Sequence, residues 1–326
     1  RYMIKASRKA IVTWFRTNRR RISRIVTGAF VVGMMALLGV FAARIDWGEV
    51  LEAITAYRLN VLLMAGLLAA LSHAVYSGFD VISKAYTEHN LPTAITMMVG
   101  FISYAFSLNL GSAIGGAGLR LRLYSRMGLS KGIIMRVIGL SITTNWLGYF
   151  CLAGMVFASG LMTLPAQWRL GSLALQIIGL LITVLGLAYL YLCAKSKKRS
   201  WKIRGHVIEL PVLRIAMAQA GLAMLNWALM GAIVYVLLQQ RVDYFVVLGL
   251  LLITAVAGAV VHVPAGLGVI ESIFIASLSY SDSVSRYQIL AALVVYRAIY
   301  YLMPLFIAGV CYLALESRFG AGAKQP

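Results

Sequence analysis

The 326-residue chain is 61% hydrophobic and only 12% charged, against about 25% charged residues in a soluble domain. Its net charge of +20 suggests nucleic acid at first sight. However, the basic residues fall in short clusters between long apolar runs, the distribution left by membrane topology, so no nucleic-acid partner is expected.

Six apolar segments reach the roughly 20 residues that a bilayer-spanning helix needs: Ile25–Ala43, Val61–Ile82, Val137–Gly160, Gly171–Ala194, Val212–Leu238 and Gln288–Leu315. Loop charge orients them. Lys and Arg crowd residues 1–24, 120–136, 195–206 and the tail, with Lys84 in a further inner loop. Inner segments carry 23 and outer segments 5, which places both termini in the cytoplasm.

Two further apolar regions, 93–119 and 244–280, must then enter and leave on one side each. They are expected to be re-entrant hairpins from opposite faces. The first would turn at "NLGSAIGG" with Gly111, Gly115 and Gly116, the second at "PAGLG" with Pro264, Gly266 and Gly268. Irregular backbone at membrane depth survives only where protein buries it or it lines a wet cavity.

The expected fold is therefore all-α and polytopic: six full spans plus two oppositely oriented hairpins in an inverted repeat, as in many secondary transporters. A basic N-terminus (1–24) precedes the first repeat (25–160, hairpin 93–119). The second repeat (161–315, hairpin 244–280) precedes a cytoplasmic tail (316–326).

Polar residues inside this fold are the candidate site. His73, Tyr76, Ser77 and Asp80 share one helix face, as do Ser141, Thr144, Asn145 and Gly148. Interhelical hydrogen bonding accounts for such stripes equally well. Asp80 lies near the inner end, where snorkelling and water make a charge cheaper. Glu271 on the second hairpin and Arg297 in the last span, with Tyr300 on its face, are deeper. A charge at the bilayer centre costs about 2.5–3.5 kcal/mol, so these two should pair, either as a structural pin or within a translocation site. Asn109 sits at the first hairpin tip. Arg120, Arg122, Arg126, Lys131 and Arg136 follow that hairpin and would suit a phosphate-bearing headgroup, although topology alone also explains them.

The three cysteines have no metal-like spacing, and the four histidines, 73, 89, 206 and 262, are scattered. No metal, cofactor or catalytic constellation is implied, and the chain is not expected to be an enzyme.

"SYAFSLNLGSAIGGAGLRLRLYSRMGLS" (103–130), "SITTNWLGY" (141–149), "VHVPAGLGVIESIFIA" (261–276) and "VYRAIYYLMPL" (295–305) resemble the YbhN family of bacterial inner-membrane proteins. That family is related to the flippase domain of the lysylphosphatidylglycerol synthase/flippase (MprF) proteins. The resemblance implies movement of phospholipids between inner-membrane leaflets and an association with envelope lipids such as cardiolipin. It maps functional roles onto Arg120, Arg122, Tyr124, Glu271 and Arg297. MprF proteins carry a soluble aminoacyl-transferase domain after the membrane part, whereas here a short polar tail follows Leu315. The synthase activity and lysyl-lipid cargo are not expected.

The leading expectation is a phospholipid flippase with anionic lipids as partners. The alternative is a non-transporting accessory protein that binds lipids, further copies of itself or lipid-synthesis enzymes.

Overall fold

The computed structural model describes residues 32, 36, 47–162, 171–203, 206–261, 268–279 and 284–322. The chain divides into two compact units, Arg1–Leu51 and Glu52–Pro326. Apart from Val32 and Ala36, the expected first span, Ile25–Ala43, lies outside the described residues, as do the tip residues Pro264 and Gly266.

In chain order the helices are α1 (Trp47–Thr55), α2 (Leu59–Thr87), α3 (Thr93–Leu110), a π-helical segment (Ser112–Gly118), α4 (Leu119–Arg126), α5 (Lys131–Ala158) and α6 (Ser172–Lys195). A two-stranded antiparallel hairpin follows, β1 (Ser200–Ile203) opposite β2 (His206–Glu209). Then come α7 (Leu213–Leu237), α8 (Tyr244–Val261), α9 (Val269–Leu278), α10 (Arg286–Tyr296), a second π-helical segment (Arg297–Leu302) and α11 (Met303–Gly322).

Among the described residues, six helical stretches are long and apolar enough to cross a membrane: α2, α3, α5, α6, α7 and the run Arg286–Arg318. Five coincide with expected spans. The sixth, α3, is the outgoing limb of the expected first hairpin.

The core forms where α2, α5 and α7 converge. Close approach there depends on small side chains: a Cβ on Gly148 of α5 would lie 2.1 Å from the Ala223 Cβ of α7. Without water inside a bilayer to drive helices together, such backbone proximity supplies the dispersion contacts that do so. α6 packs mainly on α5, where Gly154 and Gly179 lie against Thr183 and the Phe157–Ala158 backbone. Its apolar window is only 17% buried, against 56% for α5. Exposed Leu173, Ile177, Leu181 and Val184 are the surface such a helix offers to acyl chains.

The tips of the helices are fixed locally. Ser130 caps α5 by accepting from the Ile133 amide. Ser285 and Gln288 form a reciprocal capping box at α10, satisfying donors that helix ends leave free. The α2 end closes through Glu88 in the left-handed region (φ 54°), its amide bonded to the Lys84 carbonyl.

After α3 the chain reverses at Gly111 (φ 87°), a conformation that glycine adopts without steric cost. The returning π-helical segment then lies directly on α3. A Cβ on Gly115 would fall 2.2 Å from the Ser107 amide nitrogen, so only hydrogen fits there. Gly100 on the outgoing limb and Arg120 on the returning one both meet Asp80 of α2, which fixes the two limbs side by side. α8 and α9 likewise pack on each other, with α9 beginning at Gly268 (φ 79°).

Candidate functional site: ion pairs, a buried polar ring and a cavity

Arg297 donates from Nε to Glu271 Oε1 at 2.7 Å and from Nη2 to Oε2 at 3.0 Å. This is the fork-to-fork geometry in which guanidinium and carboxylate match best. The pair joins α9 to the last span, and both side chains keep partial exposure, 14% for Arg297 and 22% for Glu271.

Arg297 also opens the second π-helical segment. A π turn holds one residue more than an α turn. The extra residue lets Tyr296, Tyr300 and Tyr301 all point inward, buried, where regular helix would swing one of them away. The Arg297 guanidinium carbon lies 6.0 Å from the centre of the Tyr301 ring.

Asp80 lies towards the end of α2, but protein rather than water or snorkelling meets its charge: it is fully buried, together with Arg120 at 3% exposure. Arg120 donates to Asp80 from Nε (3.0 and 3.1 Å) and Nη2 (2.7 Å), and from Nη1 to the Gly116 carbonyl. The Tyr124 hydroxyl donates to the other carboxylate oxygen at 2.7 Å. A buried charge needs this degree of satisfaction, because desolvation otherwise outweighs the Coulombic gain. Arg122 is engaged elsewhere, donating to the Tyr312 hydroxyl (2.8 Å) and to Glu316 (3.1 Å).

A neutral polar ring lies deeper. Ser72 donates to Asn226 Oδ1 (2.8 Å), so the 2.8 Å contact between Ser72 and Tyr300 takes its proton from Tyr300. Tyr104 then donates to Tyr300 at 2.8 Å, and Asn226 Nδ2 reaches Tyr104 at 3.5 Å. The circuit ties α2, α3 and α7 to the second π-helical segment. His73 packs on this ring, 5.2 Å from Tyr104 and 4.8 Å from Tyr300 between ring centres. Its Nδ1 donates to its own helix at Ala69, and Nε2 is buried without a partner.

Between the hairpins lies a cavity of about 620 Å³, within the usual range of ligand pockets. The first hairpin lines it with Ser107 and the stretch from Leu110 to Ile114. The second contributes Thr254, Gly258, Val269 and Ile270, and Trp227 and Tyr301 complete the wall. The Trp227 indole N–H and Asn109 Oδ1 are buried with no hydrogen-bond partner. Asn109 donates instead to the Ala105 and Tyr301 carbonyls.

Of the expected site residues, Glu271 and Arg297 pair, Asp80, Arg120 and Tyr124 cluster, and His73 and Tyr300 share the ring. Asn145 is half-buried and joins none of these groups. Its neighbour Thr144 accepts from Gln219 of α7 at 2.8 Å, an interhelical bond of the ordinary kind. Ser72, Tyr104, Trp227, Tyr312 and Glu316 were not expected. For Glu316 a signal existed: it is the only acid in the apolar run Arg286–Arg318.

A bundle of long apolar helices with paired charges and buried polar side chains between them defines a multi-pass membrane protein. The chain belongs to the family described as the lysylphosphatidylglycerol synthase TM region, whose model matches residues 24–308. It is 43% identical to inner membrane protein YbhN of Escherichia coli, over 92% of this chain and 94% of that one. An uncharacterized protein of Synechocystis is 31% identical, over 83% of this chain and 84% of its own length. The phosphatidylglycerol lysyltransferase of Bacillus subtilis is 23% identical, over 78% of this chain but only 29% of that enzyme. The resemblance to the YbhN family is thus borne out.

Proposed function

We propose that this protein is a bacterial inner-membrane transporter of anionic phospholipids, carrying the headgroup between leaflets through the cavity that both hairpins line. It acts as a transporter and not as an enzyme. The observation that carries this reading is the cavity itself: both hairpins line it, and the indole donor of Trp227 in its wall lacks a partner. A headgroup supplies that hydrogen bond, while exposed apolar helix faces accommodate the acyl chains.

Pairwise packing supports an inverted repeat with re-entrant hairpins. α2 meets the first hairpin through α3 as α7 meets the second through α8. α2 packs on α5 as α7 packs on α10, and α5 touches α8 as α11 touches α3. The start of α2 lies beside the end of α7, since Tyr57 donates to the Leu237 carbonyl at 2.9 Å, so the two run antiparallel. Exchange of the partly exposed Glu271–Arg297 pair for headgroup contacts opens the path. The family description and the lysyltransferase relative, named for a phosphatidylglycerol reaction, favour a phospholipid as cargo.

The test is fluorescent-lipid translocation in proteoliposomes, comparing phosphatidylglycerol with phosphatidylcholine. Protein-dependent translocation of phosphatidylglycerol is expected. Gly258 lines the cavity and has no atom within 4 Å of an added Cβ, so Gly258→Leu is expected to narrow the path and slow transport about tenfold or more. Equal rates with and without wild-type protein overturn the reading.

A further inference from the structure

α4 presents three arginines, and their balance of charge differs. Arg120 faces one carboxylate, fully buried and gripped through both oxygens. Arg122 and Arg126 both converge on one oxygen of Glu316, each from Nη2 at 3.1 Å. The second oxygen, Oε2, is buried and has no hydrogen-bond partner. Two guanidinium charges and the Tyr312 hydroxyl, which accepts from Arg122 at 2.8 Å, therefore gather around the Glu316 carboxylate.

A carboxylate is a poor match for this arrangement. Two guanidiniums approaching from different residues suit a tetrahedral anion with three or four acceptor oxygens and a charge between −1 and −2. The cluster is also reachable: Arg126 is 29% and Arg122 14% exposed. Beside it, Leu121 on α4 and Leu313 on α11 are 39% and 40% exposed, as apolar neighbours of a lipid headgroup would be. Lys131 and Arg318 add exposed positive charge nearby in the chain.

We infer that Arg122, Arg126 and Tyr312 form a phosphate-binding site, and that the Glu316 carboxylate on α11 occupies it as an internal competitor. The ligand is a phosphate group, carried by a phospholipid headgroup or free. Its arrival displaces Glu316 and releases α4, the returning limb of the first hairpin, from α11. Binding at this site does not require that the protein transport lipid, so its test and that of transport fail separately.

The experiment measures binding of dioleoylphosphatidic acid, dioleoylphosphatidylcholine and inorganic phosphate to the purified full chain in detergent, by native mass spectrometry and titration. Phosphatidic acid binds saturably and phosphatidylcholine much more weakly. Glu316→Gln tightens binding about tenfold by removing the competitor, and Arg126→Gln weakens it about tenfold. Competition by millimolar inorganic phosphate assigns the site to free phosphate, and its failure to compete assigns it to the headgroup. Should Glu316→Gln lose its thermal transition, Arg126→Gln and Tyr312→Phe decide, both being expected to lose affinity. Folded Glu316→Gln that binds no tighter than wild type, or Arg126→Gln and Tyr312→Phe that bind equally well, overturns the inference.

Discussion

Arg120 and Asp80 form a completely enclosed ion pair between the returning limb of the first hairpin and α2, 40 residues apart in the chain. Every described contact of the guanidinium is to Asp80 or to the Gly116 carbonyl of its own limb. The pair therefore sets the register of the hairpin on α2 more than it adds net stability, since desolvation offsets most of the Coulombic attraction.

Breaking the pair from one side leaves a buried charge. Asp80→Ala is expected to destabilise the protein by about 3–5 kcal/mol, read as a lowered thermal transition in detergent. The double variant Asp80→Leu/Arg120→Leu removes both charges and should recover most of that loss. A double variant as unstable as the single one would show that the charges themselves are required.

Glycine positions give a test along one helix. Gly148 of α5 has the Ala223 side chain and backbone within 2.1–2.7 Å of an added Cβ, whereas Gly139 on the same helix has nothing within 4 Å. Gly148→Ala should cost about 1–3 kcal/mol through overpacking. Gly139→Ala should be neutral or stabilise by up to about 1 kcal/mol from helix propensity. Equal thermal shifts for the two would contradict the packing described between α5 and α7.

His89, in the turn between α2 and α3, has its pKa lowered, first by burial and then by the nearby Lys84 charge. The folded state thus favours the neutral ring. A base with a lowered folded pKa contributes its stability above the unfolded value of about 6.5 and loses it as pH falls below. Melting temperature should therefore drop from pH 7 to pH 5 by a larger margin in wild type than in His89→Gln. Identical pH profiles would show that His89 does not titrate against folding.

The Glu271–Arg297 pair was legible because each is isolated in apolar sequence at a similar depth, so each needs the other. Asp80–Arg120 was not. Arg120 reads as one of five cations that orient a loop, and only the register of the returning limb shows which of them turns inward. The rarer charge was the better guide: of 10 acidic residues against 30 basic, Asp80, Glu271 and Glu316 lie in apolar helices, and each has an arginine. Five of the expected spans followed from hydropathy, and the break at Gly111 from glycine content. The π-helical segments did not, because the widened turn at Arg297 reflects tertiary packing of three tyrosines, to which no local residue pattern corresponds.

The most direct measurement of the central claim is translocation of fluorescent phosphatidylglycerol by proteoliposomes containing wild type, Glu271→Gln, Arg297→Ala or the exchanged pair Glu271→Arg/Arg297→Glu, each checked for folding. Wild type is expected to transport and all three variants to lose about tenfold or more, because the exchanged pair restores the pin between α9 and the last span but not the headgroup contacts. Wild-type rates in the folded exchanged pair would contradict that claim and make the pair a structural pin alone.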